Sequence, residues 1–216
     1  MGGFFNMDGP FYRVGNMVAD IMILSLLWFV FSIPIVTIGA STTALFYVAT
    51  KRISNKEGYL FRDFWKSFSS NFLQATITWV IIMVVGSLLL FNIININIVG
   101  DLKSFILPFQ ICFMVELLLV SIYIFPLISR FDMKMKELFK TAFLMANKHL
   151  LTSFLCVLVI VGVLLLIYYF GFFIVVAMGA YAFCSSFFLI KVFKKYRPEL
   201  DSDDYLLEEG EQTESK

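Results

Sequence analysis

The sequence predicts an all-α fold, a polytopic helical membrane protein with about five transmembrane helices and two amphipathic interfacial helices. Of its 216 residues, 60% are hydrophobic, a fraction well above that of soluble globular domains. Phenylalanine alone occurs 26 times, although a water-soluble core needs far fewer large apolar side chains. All of the 17 lysines and arginines except Arg13, Lys103 and Lys216 fall in three short segments, and long apolar runs separate those segments.

The three basic segments, residues 51–66, 130–148 and 191–197, predict on which side of the membrane each loop lies. Loops rich in lysine and arginine resist translocation, so we expect all three on the cytoplasmic side. The weakly charged loop at residues 92–104 and a turn near Gly171 then lie outside. These assignments predict a multi-pass protein of the cell membrane with a cytoplasmic carboxyl terminus.

The first apolar run, residues 14–50, is too long for one straight span. Pro34 and Gly39 are expected to break it, because proline lacks a backbone N–H and disfavours helix at the preceding residue. One reading has a span at residues 17–38, kinked near Pro34, followed by a short helix at 41–52. It gives five spans and an amino terminus outside. In the other reading, residues 41–50 belong to a second crossing, which gives six spans with both termini inside.

The later spans are better separated. Apolar runs predict spans at residues 72–93 and 105–127 and two crossings within 149–193, joined by a turn at the aromatic and glycine residues 168–172. Residues 1–197 are therefore expected to form a single membrane domain. Residues 198–216 are rich in Asp and Glu, and their composition predicts a disordered cytoplasmic tail.

Two of the basic segments have a helical pattern. Apolar residues recur there at three- and four-residue spacing, with the cations off the apolar stripe. Each pattern predicts an amphipathic helix, either lying at the inner interface with its cations towards lipid headgroups or packed on the ends of the spans. The stripes consist of Phe61, Phe64, Trp65, Phe68 and Phe72 in the first segment, and of Met135, Leu138, Phe139, Ala142 and Phe143 in the second.

Two acidic residues inside the predicted spans are the candidate intramembrane polar sites. Glu116 lies at the midpoint of the span at residues 105–127, where an ionised carboxylate costs about 2.5–3.5 kcal/mol. It is expected to be neutral, or to face a cavity or a polar side chain. Its role is either an ion-coupled or substrate-binding site or a hydrogen bond to a neighbouring helix. Asp20 is expected about one turn inside the outer boundary, within reach of headgroups, water or Arg13.

The sequence carries no recognised catalytic motif. It has no phosphate-binding GxxxxGK[ST] loop, no HExxH and no GxSxG, and its three cysteines lie inside apolar runs without a CxxC spacing. We therefore predict no enzymatic activity, no cofactor and no metal. The expected partners are the lipid bilayer and either transporter subunits or further copies of the chain, and nucleic acid is not among them. Ala182 and Ser186 form a small-xxx-small pair that favours close helix packing.

Several stretches together resemble the YesL family of bacterial membrane proteins. They include residues 4–12, Leu27-Trp28, the run Ser32-Ile33-Pro34-Ile35-Val36-Thr37-Ile38-Gly39-Ala40, and residues 64–76. The resemblance implies a small polytopic protein of Gram-positive bacteria linked to carbohydrate uptake or use, and it supplies no catalytic residues. The expected function is an accessory or scaffold role in the cytoplasmic membrane. The alternative is a small transporter with Glu116 lining the substrate or proton path.

Overall fold

The computed structural model describes residues 10–54, 58–96, 98, 102–171 and 174–196, and over these residues the chain is helical and contains no strand. Within this described part, four helices are long and apolar enough to cross a membrane, and a fifth apolar helix, Gly15–Phe31, is shorter. These helices confirm the predicted all-α membrane fold, while the predicted acidic tail lies outside the described residues. The helices are α1 Pro10–Phe31, α2 Ile38–Ile53, α3 Leu60–Ile94, α4 Lys103–Ile128, α5 Met135–Lys148, α6 Leu150–Tyr169 and α7 Ile174–Tyr196.

The first apolar run forms a helical hairpin of α1 and α2. The indole Nε1 of Trp28 donates a hydrogen bond to Thr42 Oγ1 at 3.1 Å, and Asp20 pairs with Arg52, so the two helices run antiparallel. This differs from the single kinked span expected at residues 17–38. The helix ends at Phe31 because Pro34 lacks a backbone N–H and cannot continue the helical hydrogen bonding. The Thr37 hydroxyl donates to the carbonyl oxygen of Phe31 at 2.6 Å, which satisfies this helix end, and the chain then reverses.

Helix α2 lies at the centre of the bundle. Every residue from Gly39 to Thr50 except Tyr47 is buried, and α2 packs against α1, α3, α4 and α7. The hydroxyls of Thr42 and Thr43 donate to carbonyl oxygens four residues earlier, so these buried polar groups need no partner from another helix. Many of the buried side chains of α2 are also small, which lets the neighbouring helices approach it closely.

Helix α3 contains both the first predicted amphipathic segment and the span after it. Its 35 residues extend about 52 Å, which exceeds the roughly 30 Å of a bilayer core. Phe64 and Phe68 are buried, and the ring of Phe31 lies 5.5 and 5.1 Å from theirs, measured between ring centroids. The amphipathic segment is therefore the first part of a continuous helix that packs on the α1–α2 hairpin.

Helix α5 is the second predicted amphipathic helix, and it packs antiparallel against the second half of α4. Leu138, Ala142, Met145 and Ala146 are buried along one face. The side chain amide of Gln74 in α3 donates to the carbonyl oxygen of Met133 at 2.7 Å and fixes the α4–α5 loop. The predicted helix is therefore present, and its apolar face packs along α4.

Candidate functional site

Two ion pairs join the end of α2 to the helices on either side of it. Asp20 Oδ2 of α1 lies 3.2 Å from Arg52 Nε, and Lys51 Nζ lies 2.8 Å from Asp63 Oδ2 of α3. Asp20 was expected near the outer boundary with Arg13 as a neighbour. The structure instead places it beside a residue of the first basic segment, and the Arg13 side chain lies outside the described side chains. Asp20 therefore has a structural partner.

The second candidate, Glu116, accepts a hydrogen bond from Asn147 of α5. The Asn147 Nδ2 atom lies 2.7 Å from Glu116 Oε1 and 3.0 Å from the carbonyl oxygen of Phe143. The two residues meet because each lies twelve residues, or about 18 Å, from the α4–α5 loop along antiparallel helices. The partner of Glu116 is thus an amide from the second basic segment.

The Glu116–Asn147 pair lies on an exposed apolar surface. Around Asn147, the residues one helical turn before and after it are apolar and exposed, with fractional exposures that run from 49% at Phe143 to 75% at Leu151. On α4, Phe113 and Val115 are also exposed. Glu116 is half-buried, and its second carboxyl oxygen accepts no hydrogen bond from the residues that the structure describes. This polar pair therefore keeps hydrogen-bonding capacity in apolar surroundings.

The structure does not bring the two acidic candidates together. Asp20 belongs to the α1–α2–α3 junction and Glu116 to the α4–α5 hairpin, each with its own partner. Within the described ranges, no group of three or more His, Cys, Asp or Glu residues could hold a metal ion. Arg52 and Asn147 were not identified from the sequence as partners of the two acidic residues. For Asn147 a signal exists, because it and Glu116 are equally far along the chain from the α4–α5 loop.

Close helix contacts surround α7. Ala182 and Ser186 are both buried, and Ser186 Oγ lies 3.5 Å from Thr50 Oγ1 of α2. On the side of α1, the Gly179 N–H donates to Ser25 Oγ at 2.9 Å. The small residues of α7 thus pack directly against α1 and α2. Gly179 lies in no motif that would have predicted its contact.

The α4–α5 loop begins with a half-buried cation. Burial lowers the pKa of the Arg130 guanidinium, and the neighbouring Tyr47 opposes that shift. At the other end of α5, burial and the nearby Lys195 and Lys148 lower the pKa of His149. Both groups are therefore held in surroundings that disfavour positive charge.

Comparison with protein families gives a match to part of the chain. Residues 21–93 match the family described as "Protein of unknown function, DUF624". The matched segment runs from α1 through α2 almost to the end of α3, and it includes Pro34, Gly39 and both ion pairs apart from Asp20. No curated protein and no solved structure matches the chain.

Proposed function

We propose that this protein is a non-enzymatic accessory component of the cytoplasmic membrane, which binds laterally to another membrane protein that serves carbohydrate uptake. The observation that carries the proposal is the Glu116–Asn147 pair on the exposed apolar face of α4 and α5. The carbohydrate link comes from the resemblance to the YesL family.

A polar pair in this position favours binding to another transmembrane helix. Within lipid, helices associate through close packing and hydrogen bonds between polar side chains, because apolar surface gains nothing by leaving lipid tails. Glu116 and Asn147 present unused oxygen atoms among exposed apolar residues. A partner helix that carries a hydrogen-bond donor, such as Ser, Thr, Asn or Gln, would satisfy them.

The ion pairs of the α1–α2–α3 junction support an architectural role for the rest of the chain. Asp20 and Asp63, the acidic residues at this junction, are bound to Arg52 and Lys51 rather than left free for chemistry. The interior around α2 is filled with small and apolar side chains. These features fit a rigid platform that presents the α4–α5 face.

The test measures sugar uptake in a host strain that lacks the gene and is complemented with variants. We expect Glu116→Leu and Asn147→Leu to reduce uptake as the deletion does, and Glu116→Gln to preserve it, because an amide retains hydrogen bonding. Ser87→Leu is the matched control, since Ser87 is exposed on α3 and its hydroxyl donates only within its own helix. Unchanged uptake in the deletion strain would contradict the carbohydrate link.

The alternative, a transporter, also depends on the Glu116 carboxylate. Reconstitution of the purified protein in liposomes distinguishes it from the accessory role. Purified protein alone in liposomes should not move a labelled sugar or protons if the accessory proposal is right. Accumulation by the purified protein, abolished by Glu116→Gln, would establish a Glu116-dependent path and overturn the proposal.

A further inference from the structure

Among the described side chains of the three basic segments, three cations are partly buried, and two of them have carboxylate partners. Lys51 pairs with Asp63, and Arg52 pairs with Asp20. Arg130, the first residue of the second basic segment, has no such partner among the described residues. This difference singles out Arg130 as a cation whose counter-charge does not come from the described part of the chain.

The side chain of Arg130 is partly buried at the start of the α4–α5 loop. Its Nε atom is buried and donates to no atom of the residues that the structure describes. Its backbone N–H donates to the Leu127 carbonyl oxygen at 3.1 Å, which fixes the residue directly after α4. Tyr47, the one residue between Gly39 and Thr50 of α2 that is not buried, lies close enough to influence its charge.

An arginine with a buried, unpaired donor destabilises the fold unless an anion lies close enough to balance its charge. Removing a charged donor from water without a hydrogen-bond acceptor is strongly unfavourable, so buried cations are normally paired. Asp132, the nearest acidic residue along the chain, is exposed and forms no ion pair with it. Arg130 as a whole remains partly exposed, so an anion can approach it from outside.

The surroundings favour a phosphate over other anions. A planar guanidinium offers parallel N–H donors that match two phosphate oxygens. The exposed Lys134 follows in the same segment and adds positive potential near Arg130. Phosphate groups of anionic lipids also concentrate at the cytoplasmic leaflet, where the basic segments are expected.

We propose that Arg130, bordered by Tyr47 at the α2–α4 junction, binds a phosphate group. The source of that phosphate is either the headgroup of an anionic lipid or a soluble phosphate compound. The inference does not depend on the accessory function proposed above, because it concerns a different face and a different chemistry.

The experiment compares wild-type protein with Arg130→Gln, Arg130→Lys and the matched control Lys136→Gln. Each is purified in neutral detergent and titrated with phosphatidylglycerol, with phosphatidylcholine, or with inorganic phosphate against chloride at equal ionic strength. Native mass spectrometry counts bound ligand, and thermal unfolding reports stabilisation. We expect phosphatidylglycerol or phosphate to raise the Tm of the wild type. Arg130→Gln should weaken binding at least about tenfold, and Lys136→Gln by less than about twofold.

The separate titrations also show whether the phosphate comes from a lipid or from a soluble compound, and they define the results that would overturn the proposal. A response to phosphatidylglycerol alone assigns a lipid headgroup, and a response to inorganic phosphate assigns a soluble compound; both support the site. The Lys variant keeps the charge, so it reports on the guanidinium geometry even if the Gln variant does not fold. Binding by both Arg130 variants at wild-type strength, an equal loss in Lys136→Gln, or no response of the wild type to either ligand would overturn the proposal.

Discussion

Arg52 in the last turn of α2 holds Asp20 of α1, with 3.2 Å between Arg52 Nε and Asp20 Oδ2. The residue before it, Lys51, holds Asp63 of α3 at 2.8 Å. Successive residues of a helix point about 100° apart, so two adjacent cations reach two different neighbours. The carboxyl end of α2 is thus fastened to the helices on both sides.

Breaking the Asp20–Arg52 pair should destabilise the fold. Both side chains are partly shielded from solvent, so Asp20→Asn leaves Arg52 without its counter-charge and should lower the free energy of unfolding by about 1–2 kcal/mol. Thermal unfolding in detergent measures the change. Asp132→Asn is the control, because Asp132 is exposed and unpaired among the described residues. An equal Tm for Asp20→Asn and wild type would show that the pair contributes nothing.

The α1–α2 hairpin makes a prediction about topology. Because α1 and α2 run antiparallel, the start of α1 and the end of α2 should lie on the same side of the membrane, with the end of α3 opposite. Single cysteines at Gly15, Ser54 and Ile98, in a background without the three native cysteines, can be labelled with a membrane-impermeant maleimide. We expect Gly15→Cys and Ser54→Cys to react from one side and Ile98→Cys from the other.

The opposite labelling pattern would restore the five-span reading. If Gly15→Cys reacted together with Ile98→Cys, the amino terminus would lie outside, as the single kinked span requires. The structure would then have the wrong direction for α1. The three positions are exposed, so poor access does not decide the outcome.

Two glycines allow close helix contacts and should not tolerate a side chain. A Cβ at Gly39 would lie 2.5 Å from the Ala75 carbonyl oxygen, and one at Gly179 would lie 2.5 Å from that of Ile21. Backbone atoms cannot move aside cheaply, so Gly39→Ala and Gly179→Ala should each cost about 1–3 kcal/mol of stability. Thermal unfolding in detergent again provides the measurement.

Gly162 provides the control for these substitutions. A Cβ there would meet nothing within 4 Å, so Gly162→Ala should leave stability unchanged or raise it slightly through higher helix propensity. If all three alanine variants unfolded at the same temperature, the close contacts of α2 with α3 and of α1 with α7 would be wrong.

Hydropathy predicted the later spans well because each apolar run is bounded by charges or turns. It could not decide between a kinked span and a reversal after α1, since residues 14–50 carry one charged residue, Asp20, and both arrangements fit the same composition. It also divided α3 into two helices. The change from amphipathic to apolar sequence at Phe72 alters what the helix contacts, and nothing there interrupts its backbone hydrogen bonds.

The candidate polar residues were found from their depth in the spans, but their partners depend on tertiary packing. Asn147 lies 31 residues from Glu116 and was grouped with the basic segment. Only the antiparallel packing of α5 on α4 brings the two together. Arg130 showed no signal in the sequence beyond its charge, because only the folded surroundings reveal that no described residue supplies its counter-charge.

His149 offers a prediction about pH, and it is the sole histidine of the chain. Burial first, and then Lys195 and Lys148, lower its pKa below the ordinary 6.5. The unfolded chain therefore binds a proton at His149 before the folded chain does, and this contribution to stability declines as the pH falls through 6.5 towards the folded pKa. In protein labelled at histidine, a single NMR signal should titrate below pH 6.5. Lys195→Gln should move the midpoint upwards, and a wild-type midpoint at or above 6.5 would contradict the packing of α5, α6 and α7 around this residue.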